Sequence, residues 1–110
     1  MGGGGKDSGR GFIAKGFPQG QYLEQHFRDH KAKFHAKMTM TEYNNRAKKL
    51  LNTSVGGSIK GFTDEDGRVY RYNSETNEFA KCRPDGIIIT FFKPESGKKY
   101  WQGQVDKNGI

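Results

Sequence analysis

"SIKGFTDEDGRVYRYNSETNEFAKC", residues 58–82, decides the fold of this chain. Within it the apolar residues take a period of two, and turn residues recur every eight to ten positions. Asp66-Gly67 closes a hairpin between "SIKGFT" and "RVYRYN", and the polar "SET" closes a second hairpin onto "NEFAKC". Alternation in the middle strand sets Val69 and Arg71 against Tyr70 and Tyr72, so an arginine inside the sheet faces either solvent or an anion. Asp85-Gly86 marks a third turn. After it, "IIITFF" (87–92) has the β-branched and aromatic content of a central strand buried on both faces. Regular alternation there groups Ile87, Ile89 and Phe91 on one side and Ile88, Thr90 and Phe92 on the other, with Thr90 the one hydroxyl in an apolar run. Pro94 and Ser96-Gly97 end this strand, and "KYWQGQV" (99–105) reads as the last one. The second half is therefore an antiparallel meander of four or five strands.

Upstream the period is helical. Leu23, Phe27, His30 and Phe34 recur at i, i+4, i+7 and i+11, a stripe about 40° wide that turns His30 toward the core. His26 lies four residues before His30, so the two imidazoles are neighbours on one helix surface, while His35 points elsewhere. A second helix is marked by Thr39 and Glu42 in capping-box relation, followed by Tyr43, Ala47, Leu50 and Leu51, and it should end near Asn52. The expected class is thus α+β, two helices followed by a sheet. The opening "MGGGGKDSGRGF" has too many glycines to order cheaply, so residues 1–17 read as a flexible linker and 18–110 as a single domain.

Composition narrows the function. A chain of 110 residues with net charge +7 and mean hydropathy −0.95 describes one small soluble basic domain. Cys82 is the only cysteine, which excludes an internal disulfide and a cysteine-based zinc site. The longest apolar run, residues 86–92, falls far short of the roughly 20 residues of a membrane span, and no segment resembles a signal peptide. Residues 1–55 hold ten Lys/Arg against four Asp/Glu, whereas residues 56–110 hold nine against eight, so the basic face belongs to the first half. Such an excess favours a polyanionic partner.

Five segments together, "YLEQHFRDHKAKF", "TEYNNRAKKLL", "RVYRYNSETNEFA", "PDGIIITFFKP" and "YW", carry a resemblance that spans about residues 21–104. In this order they resemble the C-terminal nuclease domains of bacterial polymorphic toxins of the contact-dependent growth inhibition (CdiA) type. Within these they look like the group joining barnase, the uridylate-specific endoribonucleases, the RNase colicins and the RelE toxins. The resemblance implies N-terminal helices packed on a twisted antiparallel sheet of four to five strands. It also implies RNA cleavage without a metal or other cofactor: the ribose 2'-hydroxyl attacks phosphorus and leaves a 2',3'-cyclic phosphate. That chemistry needs a base, an acid and donors to the developing charge. Residue by residue, it carries His26 and His30 over as acid-base groups and Thr90 as a phosphate contact, with Arg71, Tyr100 and Lys93 as secondary candidates.

Arg28, Lys31, Lys33, Lys37, Arg46, Lys48 and Lys49, with Lys93, would bind the RNA backbone, and tRNA is the substrate the resemblance implies. It further implies a cognate acidic immunity protein, in some relatives a host activating factor such as a translation elongation factor, and a monomeric domain. Its setting would be the C-terminal part of a secreted or cell-surface effector that acts in the cytoplasm of a target bacterium. Other readings compete with this one. The His26/His30 pair has metal-ligand spacing but lacks an evident third ligand. Basic helices beside an aromatic-rich sheet would also suit a non-catalytic RNA-binding module. An inactive interaction domain of a phage or surface protein is the third alternative.

Overall fold

A computed structural model describes residues 13–18, 21–34 and 37–109, so His35 and the first twelve residues of the expected linker lie outside it. The chain forms α1 (Gln21–His30), a 3-10 turn (Lys31–Lys33), α2 (Met40–Asn52), β1 (Ile59–Thr63), β2 (Val69–Asn73), β3 (Glu78–Cys82), β4 (Ile88–Phe92) and α3 (Lys98–Asn108). The strands make one four-stranded antiparallel sheet in sequence order. The α+β class holds. The helices divide between the two faces, however, and the C-terminal one was unforeseen.

α2 begins where the capping box places it: the Thr39 side chain accepts from the Glu42 amide at 3.1 Å, and Glu42 Oε1 accepts from the Thr39 amide at 2.8 Å. Its apolar side, Tyr43, Ala47, Leu50 and Leu51, packs on Val69, Ala80, Cys82, Ile88 and Phe91 of the sheet, with Leu23, Phe27 and Phe34 joining from the α1 side. Tyr43 is fully buried among Phe17, Phe27, Phe34 and Phe91, and its hydroxyl donates to the Phe91 carbonyl. Burying a ring of this size contributes about 1.5–3 kcal/mol. On the opposite face Tyr70, Tyr72 and Phe79 lie under Phe62, Phe92, Tyr100 and Trp101.

Five expectations are corrected, the last of them for residues 14–17. The segment 99–105 belongs to helix α3, because i,i+4 spacing lets Gln102 donate to Asp106 at 2.9 Å and turns Tyr100 and Trp101 onto the second face of the sheet. The aromatic content that suggested a strand covers one instead. "IIITFF" is an edge strand, and Thr90 opposes Lys81 while Ile88 opposes Cys82, which leaves Ile89 as an extra residue, a β-bulge. The bulge breaks the expected alternation, so Ile88 and Phe91 share the α2 side as core residues. α1 gives way to a 3-10 turn after His30, before the stripe reaches Phe34.

Residues 14–17, expected to be linker, are docked. Ala14 and Phe17 are buried, and a parallel bridge joins Gly16 to Ile87 at the sheet edge, with the Ile88 amide donating to the Gly16 carbonyl at 2.9 Å. α2 pins this strap from its other side: the Ala14 amide donates to Asn52 Oδ1 at 2.7 Å and the Phe17 amide to Asn44 Oδ1 at 2.9 Å. Gly16 is required there, since its φ is +115° and a Cβ would meet the Asn44 amide group at 3.1 Å.

Candidate functional site

The helical spacing of α1 brings His26 and His30 together, with ring centroids 5.8 Å apart. The His26 ring rests against Phe17 of the strap at 5.2 Å, and the His30 ring stacks on Phe92 of β4 at 5.3 Å. α1 therefore lies over the edge of the sheet, with Phe27 turned to Tyr43 on the α2 side and His30 to Phe92 on the α3 side. Both imidazoles are half-buried. Burial lowers both pKa values; for His26 the charge on His30 lowers it further while Asp29 opposes, and for His30 Asp29 opposes while Lys33 adds to the lowering. The pair is thus biased toward the neutral form, the state a general base needs.

Thr90 and Phe92 are alternate residues of β4 and share the α3 face, since their cross-strand partners are Lys81 and Phe79. Tyr100 of α3 meets Phe92 edge-on at 5.3 Å and Phe79 at 5.1 Å. Burial raises its pKa, so its phenol remains a proton-bearing donor. The structure accordingly brings together His26, His30, Phe92 and Tyr100 in a chain of contacts, with Thr90 beside them on the sheet. Phe92 was missed as part of the site; its recognisable signal is its position two residues after Thr90.

Arg71 is not part of this group. It pairs with Ala80 on the α2 side of the sheet, the face opposite Thr90, where it is 7% exposed. Its Nε donates to the Thr53 carbonyl at 3.2 Å and its Nη1 to the Tyr70 carbonyl at 2.9 Å. Arg71 thus faces neither solvent nor an anion, and serves backbone carbonyls instead.

The basic side chains are dispersed and several are neutralised. Arg28 pairs with Glu24 at 3.1 Å, Lys33 with Glu95 at 3.2 Å, and Arg46 with the buried Glu78. Lys31 lies over the Phe27 ring and Lys93 over the Phe34 ring, each at 5.3 Å. Lys37 and Lys49 are exposed and Lys48 is half-exposed. On the sheet itself a different lysine is close to Thr90. Phe62, Tyr70, Lys81 and Thr90 form one cross-strand row over all four strands, with the Lys81 amine 5.1 Å from the Tyr70 ring centroid. Among the described residues no three His, Cys, Asp or Glu side chains are grouped so as to hold a metal ion, and no helix is long and apolar enough to cross a membrane.

The chain matches no protein-family model and no curated protein. The geometry of the site therefore carries the functional argument.

Proposed function

We propose that this domain is a metal-independent endoribonuclease of the toxin type, with tRNA as its substrate and a cognate acidic immunity protein as its inhibitor. The observation that carries the reading is the half-buried His26/His30 pair, with His30 stacked on Phe92, which Tyr100 meets edge-on and which shares its face of the sheet with Thr90. One imidazole takes the proton of a ribose 2'-hydroxyl as that oxygen bonds to phosphorus. The other, protonated, gives its proton to the 5'-oxygen as the P–O5' bond breaks, leaving a 2',3'-cyclic phosphate and a 5'-hydroxyl. Each positioned proton transfer is worth about 10²–10⁴ in rate. An approaching phosphate anion raises the pKa of a nearby imidazole, which supplies the acid from a pair that is otherwise biased toward neutrality. Phe92 and Tyr100 offer aromatic surface on which an unpaired base can stack. Lys37, Lys48 and Lys49 add backbone affinity that falls with salt.

The test is incubation of the purified domain with total bacterial RNA in EDTA, comparing wild type with His30→Ala on a denaturing gel and characterising the 3' ends. Discrete tRNA fragments with cyclic phosphate ends, formed by wild type alone, are the expected result. An RNA shift in a binding assay without fragments, even after adding cell extract to provide an activating factor, would replace the enzyme with a non-catalytic RNA-binding module.

A further inference from the structure

The second face of the sheet holds a cation that the proposed reaction has not yet used. Lys81 sits in the interior of β3, between Tyr70 on one neighbouring strand and Thr90 on the other. It is half-buried, and its amine is drawn over the Tyr70 ring. Among the described residues the ion pairs of this chain use other bases, and none includes Lys81. The nearest carboxylate influence comes from Asp64, whose oxygens are already taken by the Asp66 and Arg68 amides, the Arg68 side chain and the Tyr70 hydroxyl. Desolvation and then the charge of Arg68 weaken the hold of Lys81 on its proton, with Asp64 opposing. A partly desolvated ammonium gains most from an anion that arrives with a ligand. Directly opposite residues of an antiparallel pair have Cβ atoms about 5 Å apart, so an oxygen held at the Thr90 hydroxyl is within reach of a lysine amine from β3.

We infer that Lys81 and Thr90 form the phosphate-binding element of the site, with the Lys81 ammonium contacting a non-bridging oxygen of the scissile phosphodiester. This assignment rests on the nuclease reading for its catalytic part, and it gives Lys81 the role that the sequence had offered to Arg71. The amine supplies no proton to the reaction. It stabilises the charge that grows on the phosphorane oxygens and that the two histidines leave unbalanced.

Two measurements on the full chain test it. The first is amine acylation followed by mass spectrometry, with and without a short single-stranded 2'-deoxy oligonucleotide, which has the phosphates but not the attacking hydroxyl. Labelling of Lys81 should fall several-fold on adding the oligonucleotide while Lys107, in the last turn of α3, is unaffected. The second is RNA cleavage by Lys81→Met and Lys81→Arg. Methionine should lower kcat by about 10²–10³ with a much smaller change in KM, and arginine should restore the rate to within about tenfold. Unchanged labelling of Lys81, together with a Lys81→Met variant that cuts RNA at the wild-type rate, would overturn the assignment and leave the nuclease intact. A wild type that never cuts RNA but whose Lys81 is shielded would do the reverse, removing the nuclease and keeping the anion site.

Discussion

Arg71 and Lys81 are cations inside adjacent strands whose side chains point to opposite faces, and their surroundings give them different work. Arg71 is held by the carbonyls of Thr53, just beyond the last turn of α2, and Tyr70, in a niche shaped by Gly61, where a Cβ would lie 2.5 Å from the Arg71 Nη1 and 2.8 Å from the Tyr70 carbonyl oxygen. Burial lowers its pKa, yet an arginine remains charged, so these carbonyls compensate a cation in the interior. Arg71→Met keeps much of the volume and removes the donors. It should cost about 2–3 kcal/mol in urea unfolding, because the carbonyls lose charged donors, while RNA cleavage per folded molecule stays at the wild-type level. A folded Arg71→Met protein with unchanged stability and lost cleavage would return Arg71 to the site.

At the scale of elements, α3 is held on the sheet by partly buried residues alone. None of its residues is buried, its N-cap Gly97 contributes no side-chain hydrogen bond, and Lys98 and Lys99 occupy its first turn, where the helix dipole favours acids. Trp101, the only tryptophan, stacks on Tyr72 with centroids 5.8 Å apart, so its fluorescence reports whether α3 is docked. In urea the fluorescence transition should precede the loss of far-UV circular dichroism, as a local opening precedes global unfolding. Lys98→Glu should move the fluorescence midpoint upward by the equivalent of about 0.3–1 kcal/mol. Coincident wild-type transitions would show instead that α3 unfolds with the sheet. This helix also shows where sequence reading stops. The Thr39/Glu42 capping box and the turns at Asp66-Gly67 and Asp85-Gly86 are local signals, and they fixed α2 and the hairpins. Tyr100 and Trp101 favour strands by propensity and become helical here through packing on a distant face. The bulge at Ile89 depends on register with β3, which no local pattern encodes. The His26/His30 pair was legible because it depends only on helical spacing; the choice between Arg71 and Lys81 was not, because alternation separates two faces without saying what covers either.

For the whole molecule, the same placement of α1 over the sheet edge that gathers the candidate site also makes its stability depend on acid. The folded state holds His26 and His30 below the ordinary value of 6.5, chiefly through burial, so the unfolded chain binds more protons as the pH falls past 6.5. Stability is therefore complete above that pH and declines below it until the folded-state values are passed. Two carboxylates add a separate, more acidic limb. Burial works against ionisation of Asp64, but its hydrogen bonds from Arg68, Tyr70 and Asp66 outweigh that and keep its pKa below 3.8; Asp85 is lowered by the Ile87 amide and by Arg83. Their contribution is present above 3.8 and is lost as the pH falls through their lowered values. Melting temperatures measured from pH 8 to pH 3 should hold level to about 6.5 and then fall in two stages. Replacing both histidines by glutamine should flatten the first stage and leave the second, whatever its effect on the absolute melting temperature. A first stage that persists in the double variant would place the titrating group elsewhere, and α1 would then hold the sheet edge by Phe27 and Leu23 without a contribution from neutral imidazoles.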